Sequence, residues 1–244
     1  MKKVLLLTDN GLLYSRFIEL LDSCFPEYWA LFDFRKSYQS RIVKNYEHGL
    51  EELKELDIKS NIVELIDKYS LIISLHCKQV FPEEVVRKIR CINVHPGYNP
   101  INRGWYPQVF AILNNLPVGA TIHEMDEQID NGAIICRGIV PIYSYDTSKD
   151  VYERVMDKEM ALLEQHFIDI IEGNYQVTIP NELGHFHTRK DFLELCRLDL
   201  SEHTTFRDAI NRLRALTHGD YSNAYFIDEL GHKVYVKIAL ENVT

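Results

Sequence analysis

No two cysteines in this 244-residue chain stand in a C-x-x-C arrangement, and the five present (Cys24, Cys77, Cys91, Cys136 and Cys196) are odd in number and widely spaced. That pattern argues against a disulfide framework and suits a reducing cytoplasm, with each thiol buried as a small apolar side chain. No apolar run is long enough to span a bilayer, and the opening Met-Lys-Lys-Val-Leu-Leu-Leu-Thr-Asp turns acidic too soon for a secretion signal, so no membrane partner is expected. A long basic run is also missing, and with a formal net charge of −9 a nucleic acid is a poor candidate partner. No G-x-G-x-x-G follows the first apolar run, which removes the dinucleotide-dehydrogenase reading. His185, His187 and His203 lack the pattern of a fourth ligand, so no metal is expected. There are no internal repeats and no low-complexity segments.

What is present is an ordinary globular composition, 46% hydrophobic and 26% charged, in a chain long enough to bury a core without staples. Residues 3–8 read as a buried strand. Leu12, Leu13, Phe17, Leu20 and Leu21 follow at helical spacing, and residues 50–67 repeat that pattern as a more charged surface helix. Residues 71–75 and 91–95 read as further buried strands, with a helix opened by Phe81-Pro82-Glu83-Glu84 between them. Residues 118–123 and 133–138 are two strands joined by a link too short for a helical crossover, so they pair antiparallel. Residues 147–172 form a long amphipathic helix with Thr147 or Ser148 as N-cap. The expected fold is α/β, a Rossmann-like mixed sheet flanked by helices over residues 1–180. A small C-terminal lobe over 181–244 carries a helix near 206–216 and ends in a β-hairpin of residues 223–228 and 233–240. An isolated hairpin is marginal in water, and this one presents Tyr225, Phe226, Val234, Tyr235, Val236 and Ile238. A homodimer through this lobe is therefore expected.

The densest polar cluster is Asn93-Val94-His95-Pro96-Gly97, at the carboxyl end of a buried strand, where open α/β sheets bind ligands. Asn93 and His95 share a face, and a carboxamide beside an imidazole suits acyl transfer: one donates to an oxyanion, the other moves a proton. A strand-end Asn and His satisfied by the backbone present the same pattern. Asp130, before the next strand and followed by Gly132, is placed to orient His95, although an Asx-turn aspartate looks identical.

Together these residues resemble a known family. Asn93-Val94-His95-Pro96-Gly97 with Pro100, Arg103-Gly104 and Pro107, and then Gly119-Ala120-Thr121-Ile122-His123 with Ile129-Asp130-Asn131-Gly132, resemble the two signatures of 10-formyltetrahydrofolate-dependent formyltransferases. Leu75-His76-Cys77-Lys78-Gln79-Val80-Phe81-Pro82 and Trp105 are most similar to the sugar-nucleotide branch. The resemblance implies the formyltransferase fold, a reduced folate as formyl donor without a metal, and a nucleotide-linked amino sugar (a dTDP-sugar) as acceptor, in surface polysaccharide synthesis such as that of O-antigen. It implies Asn93, His95 and Asp130 as the catalytic trio, a protonated His95 helping Asn93 to hold the oxyanion. It implies folate contacts from Cys77, Lys78 and Gln79, from Asp126, Glu127, Gln128, Ile129 and Asp130, and from Trp105. On the substrate side the candidates are Asn10, His76, Lys78, Arg103, Gly104, Trp105, Tyr106, Tyr221 and Tyr225, with Arg189 and Lys190 as further cations for a pyrophosphate. A dTDP-linked 3-amino sugar, a GDP-linked 4-amino sugar and a catalytically dead binding module stay open as alternatives. A tRNA acceptor is disfavoured by the net charge and the short second lobe.

Overall fold

The computed structural model describes residues 2–38, 49–182 and 184–243. From the N-terminus come β1 (Lys3–Thr8), α1 (Gly11–Cys24), a 3-10 stretch (Pro26–Leu31), β2 (Phe32–Ser37), β3 (Glu55–Leu56) and α2 (Ile62–Lys68). Next are β4 (Tyr69–Leu75), α3 (Glu83–Lys88), β5 (Arg90–His95), β6 (Asn102–Gly104) and α4 (Pro107–Asn114). The chain continues through β7 (Val118–Glu124), β8 (Ile134–Val140) and α5 (Ser148–Glu172) to β9 (His185–His187), α6 (Arg189–Cys196), α7 (Phe206–Leu216), β10 (Tyr225–Ile227) and β11 (Lys233–Tyr235).

Seven strands make one mixed sheet in the order β3-β2-β1-β4-β5-β7-β8. Pairing is parallel from β3 to β5 and antiparallel at β5–β7 and β7–β8, as the short connection after β7 requires. The chain leaves β1 toward β2 on one side and returns to β4 on the other. The carboxyl ends of β1 and β4 therefore flank the crevice where such sheets take ligands. Leu5, Leu6, Leu7, Leu71, Ile72 and Ile92 are fully buried because both faces of the sheet are covered. At about 1.5–3 kcal/mol for each large apolar side chain taken from water, these central strands dominate the favourable side of folding.

One face packs on α1, α4 and α5, with Phe17, Phe32 and Phe167 at its centre, and the other packs on α2 and α3. The first of these cores also takes in Phe192, Cys196, Ala215, Leu216 and Ala224, so the C-terminal segments share it with the sheet. Helix α5 starts where its sequence says it should, with Thr147 and Asp150 in a reciprocal capping box, and stops at Gly173 in a left-handed conformation.

The expected helix over 50–67 is corrected to α2 alone. Asp57 accepts hydrogen bonds from Lys59 N at 3.1 Å and Ser60 Oγ at 2.5 Å, a local turn that competes with a helix, while Leu50 and Ile58 are buried from irregular backbone. The terminal hairpin is shorter than its apolar pattern suggested, with only three residue pairs in register. Cys24 is exposed rather than buried, and Cys77 and Cys136 are half-buried. Among the described residues no helix is long and apolar enough to cross a membrane.

Candidate active site

Strand β5 ends in the crevice and delivers Asn93 and His95 to it. Its antiparallel neighbour places His123 directly across from Asn93, and Thr121 across from His95. The turn between β7 and β8 then brings in Asp130, whose own backbone is left-handed at φ 50°. A non-glycine residue held there is backbone strain of the kind that gathers at functional sites. Asn99 Nδ2 holds it by donating to Asp130 O at 3.0 Å.

The carboxylate of Asp130 is the hub. Asn93 Nδ2 donates to Oδ1 at 3.0 Å and Gly104 N to Oδ2 at 3.1 Å. His95 Nδ1 lies 3.6 Å from Oδ2, and His123 Nε2 lies 3.6 Å from Oδ1. Burial pushes the carboxyl up, but the facing His95 and His123 and the Gly104 N–H outweigh it and hold Asp130 well below the usual carboxylate range. His95 is buried, and desolvation lowers its pKa from the ordinary imidazole value although Asp130 pulls the other way. The resting pair is therefore an ionised Asp130 beside a neutral His95. The carboxylate keeps its charge in either state of His95, because two N–H donors serve it independently.

His95 Nε2 lies 3.2 Å from Asn102 O, and a carbonyl oxygen only accepts, so that nitrogen carries the proton. Nδ1 then faces Asp130 with its lone pair, ready to take a proton that the carboxylate stabilises. The protonated His95 anticipated from the resemblance is thus the form reached on proton uptake. Gly97 is needed for this fit: a Cβ there would meet His95 Nε2 at 2.4 Å and Asn102 O at 2.5 Å.

A cavity of about 480 Å³ opens over these groups. It is lined by the trio, by Asn10 and His76 at the ends of β1 and β4, by Cys77, Lys78 and Gln79, and by Asp126 to Ile129. Gly104, Trp105, Tyr106 and Tyr221 line it as well. The loop after β4 is braced from behind: Asp9 accepts from Ser37 N, Ser37 Oγ and Lys78 N at 2.7–3.0 Å. Gln79 ties its carboxamide to Ile58 N and Leu56 O, and burial pushes the Cys77 thiol up to about 12, so it is no nucleophile. Asp126 closes the other loop by accepting from Gln128 N at 2.8 Å and Asn131 Nδ2 at 3.0 Å.

Four substrate-side candidates, Arg103, Tyr225, Arg189 and Lys190, are not in the cavity lining. Arg103 is buried and donates to Asn131 Oδ1 at 2.8 Å, which braces the Asp130 turn. Tyr225 sits in the hairpin against Tyr235 and, with Lys190, lines a separate groove over α6, because the short β10 faces that helix. Several lining residues were not anticipated: His123, Gln108, Ser148, Tyr152, His218 and Asn223. Behind them Glu159 is fully buried against His76. Only Glu159 carried a signal, an acid on the apolar stripe of α5 between Val155 and Leu163.

Comparison with known proteins agrees on one family. A model described as "Formyl transferase" matches residues 30–167, and one described as "N-formyltransferase dimerization C-terminal domain" matches residues 191–242. The dTDP-4-amino-4,6-dideoxyglucose formyltransferase of Mycobacterium tuberculosis is 48% identical over 185 residues, 76% of this chain and 79% of that one. The structure of a 4-N formyltransferase from Francisella tularensis aligns with a TM-score of 0.89 at 42% identity, covering 99% of both chains. That of the formyltransferase PseJ from Anoxybacillus kamchatkensis, in complex with UDP-4,6-dideoxy-4-formamido-L-AltNAc and tetrahydrofolate, aligns at 0.60 and 25% identity. It covers 87% of this chain and 98% of that one.

Proposed function

This chain belongs to the formyltransferase family as a sugar-nucleotide N-formyltransferase, and from that premise we propose that it transfers a formyl group from 10-formyltetrahydrofolate to the 4-amino group of dTDP-4-amino-4,6-dideoxyglucose. The observation that carries the reading is the convergence of Asn93, His95 and Asp130 in one cavity at the carboxyl end of the sheet. The identity of the sugar is supported by the 48% identical relative, and the position of its amine by the 4-N enzyme at 42%. The folate is supported by the tetrahydrofolate complex of the more distant neighbour and by the braced loops at 77–79 and 126–130.

The donor supplies an activated formyl carbon, and the chain's own residues supply position, charge and proton movement. The Asn93 carboxamide, whose Nδ2 donates to Asp130 Oδ1 at 3.0 Å and lies 3.4 Å from His123 Nε2, exchanges the longer of these contacts for the oxyanion that develops as the amine adds. The His95–Asp130 pair accepts the amine proton at Nδ1, the carboxylate stabilises the imidazolium that results, and as the oxyanion collapses and the bond from the formyl carbon to the folate N10 breaks, that proton passes to the departing nitrogen. No covalent intermediate on the enzyme is required.

The loops 77–79 and 126–130 take the folate, with Trp105 as a stacking surface. Lys78 is the cation placed for the pyrophosphate, and Tyr106, Tyr221 and the 218–223 segment take the nucleotide sugar. Residues 1–180 act as the catalytic domain and 181–244 as the lobe that joins two copies, a division supported by the dimerisation match over 191–242. The proposed compartment is the cytoplasm, and the proposed role is to supply a formylated sugar for surface polysaccharide. The test is a panel: the 4-amino sugar should gain one formyl unit by mass spectrometry, fastest of all. Faster reaction of the dTDP-3-amino isomer or a GDP-linked 4-amino sugar would move the substrate, and no reaction with any would leave a binding module.

A further inference from the structure

Strand β6 orients the catalytic centre through each of its three residues. Asn102 O accepts from His95 Nε2 at 3.2 Å, Arg103 donates to Asn131 Oδ1 at 2.8 Å beside the Asp130 turn, and Gly104 N donates to Asp130 Oδ2 at 3.1 Å. The tautomer of His95 and the aim of the carboxylate are therefore set by one short backbone segment. Yet β6 is no part of the seven-stranded sheet. Among the described residues its strand partner is β9 alone, in the segment that leads into the C-terminal lobe.

The pairing is parallel, with Asn102, Arg103 and Gly104 opposite His185, Phe186 and His187. His185 N donates to Ile101 O at 3.2 Å and Trp105 N donates to His187 O at 2.9 Å, one tie at each end of β6. Two glycines allow so close an approach. Gly184 sits at φ 61°, where a Cβ would clash with Pro100 O, and Gly104 at φ 86°, where a Cβ would clash with His187 O.

A ribbon of two three-residue strands is marginal by itself. Its anchor is His187, whose ring stacks on Phe110 of α4, centroids 3.7 Å apart and planes 4° from parallel. Phe110 is itself buried in the main core. The imidazole serves there as an aromatic plate: its Nε2 is buried and has no hydrogen-bond partner among the described residues. Directly after β9, Thr188 and Asp191 form a reciprocal capping box that starts α6, so the strand has a fixed exit.

Resting on the function proposed above, we propose that β9 is a positioning element of the catalytic centre and that His187 is the positioning residue that seats it. The ring docks β9 on α4, β9 holds β6 in register, and β6 holds His95 and Asp130. Formyl transfer thus depends on a segment outside the residues 30–167 that match the transferase model.

The experiment compares the full chain with His187→Ala, His187→Phe and Gly184→Ala by steady-state formyl transfer and by amide hydrogen exchange. His187→Ala should lower kcat by about tenfold to a hundredfold, the scale of a small misplacement of catalytic groups, with KM for the sugar nucleotide within about threefold of wild type. Gly184→Ala drives a methyl into Pro100 O at the exposed end of the pairing and should do the same without touching the core. His187→Phe keeps the stack and should hold kcat within about threefold of wild type. Exchange at Gly104 and Trp105 should quicken in the two impaired variants and not in His187→Phe. In a His95→Ala background the His187→Ala loss should shrink to less than about threefold, because the group it positions is gone. Unchanged kcat in Gly184→Ala, a His187→Phe rate as low as that of His187→Ala, or an undiminished loss in the His95→Ala background overturns the proposal. A wild-type chain that transfers no formyl group would overturn the proposed function, and the exchange rates would still decide whether His187 holds β6.

Discussion

Replacing Asp130 with Asn removes one charge from the hub while keeping its shape. The carboxylate accepts from Asn93 Nδ2 and Gly104 N and faces His95 Nδ1 and His123 Nε2. A carboxamide has one accepting oxygen, so its NH2 must point at Asn93, at Gly104 or at an imidazole. At least one bond of about 1.5–3 kcal/mol to a charged group is lost, and the other half of the site meets donor against donor. The imidazolium that forms on proton uptake also loses its counter-charge, and general-base assistance is worth about 10²–10⁴ in rate. The two together predict a fall in kcat of about a thousandfold, roughly 4 kcal/mol of barrier. Both KM values should move by less than about threefold, because Asn keeps the shape of the side chain and the backbone of the 126–130 loop proposed to meet the folate stays in place. The assay is steady-state formyl transfer, with a thermal melt to show that the variant is folded. A folded Asp130→Asn enzyme within tenfold of wild-type kcat, or one impaired only in KM, would refute the reasoning.

Burial holds the His95 pKa below its ordinary value of 6.5. The neutral imidazole is the working base, so kcat should rise with pH along an acid limb centred below that value, and a limb well above it would contradict the assignment. Gly97→Ala should drive a methyl into His95 Nε2 and Asn102 O, costing about 1–3 kcal/mol of stability with a disproportionate loss of kcat, read by melting and initial rates together. The exposed apolar residues of the C-terminal lobe, among them Ile227, Val234 and Tyr235, predict a dimer in sedimentation at micromolar concentration, and a monomer there would contradict it.

The trio was legible because strand β5 is a short apolar run interrupted at alternate positions by Asn93 and His95, and because Asp130-Asn131-Gly132 announces a turn. The long helix α5 was legible through its caps. Strand β2 was not, since Arg35 and Lys36 break its apolar pattern, and its place in the sheet comes from pairing with β1. The short strands β6 and β9 are equally silent, since three residues carry no period and their pairing joins positions 83 apart in the chain. Side chains that meet only through tertiary structure were invisible: His123 looks like any residue of a buried strand, and Tyr152 and His218 reach the cavity from distant segments. Arg103 reads in the sequence as a cation for a ligand, whereas in the fold it is buried and donates to Asn131 Oδ1.

The central claim is that Asn93, His95 and Asp130 move a formyl group onto a sugar amine. The most direct measurement is a single-turnover reaction with isotope-labelled 10-formyltetrahydrofolate and dTDP-4-amino-4,6-dideoxyglucose, comparing the wild-type chain with His95→Ala. The account predicts label in an amide on the sugar with wild type and a loss of at least about a hundredfold in rate with the variant. Label that stays on the folate in both, or transfer that proceeds undiminished without the imidazole, would contradict it.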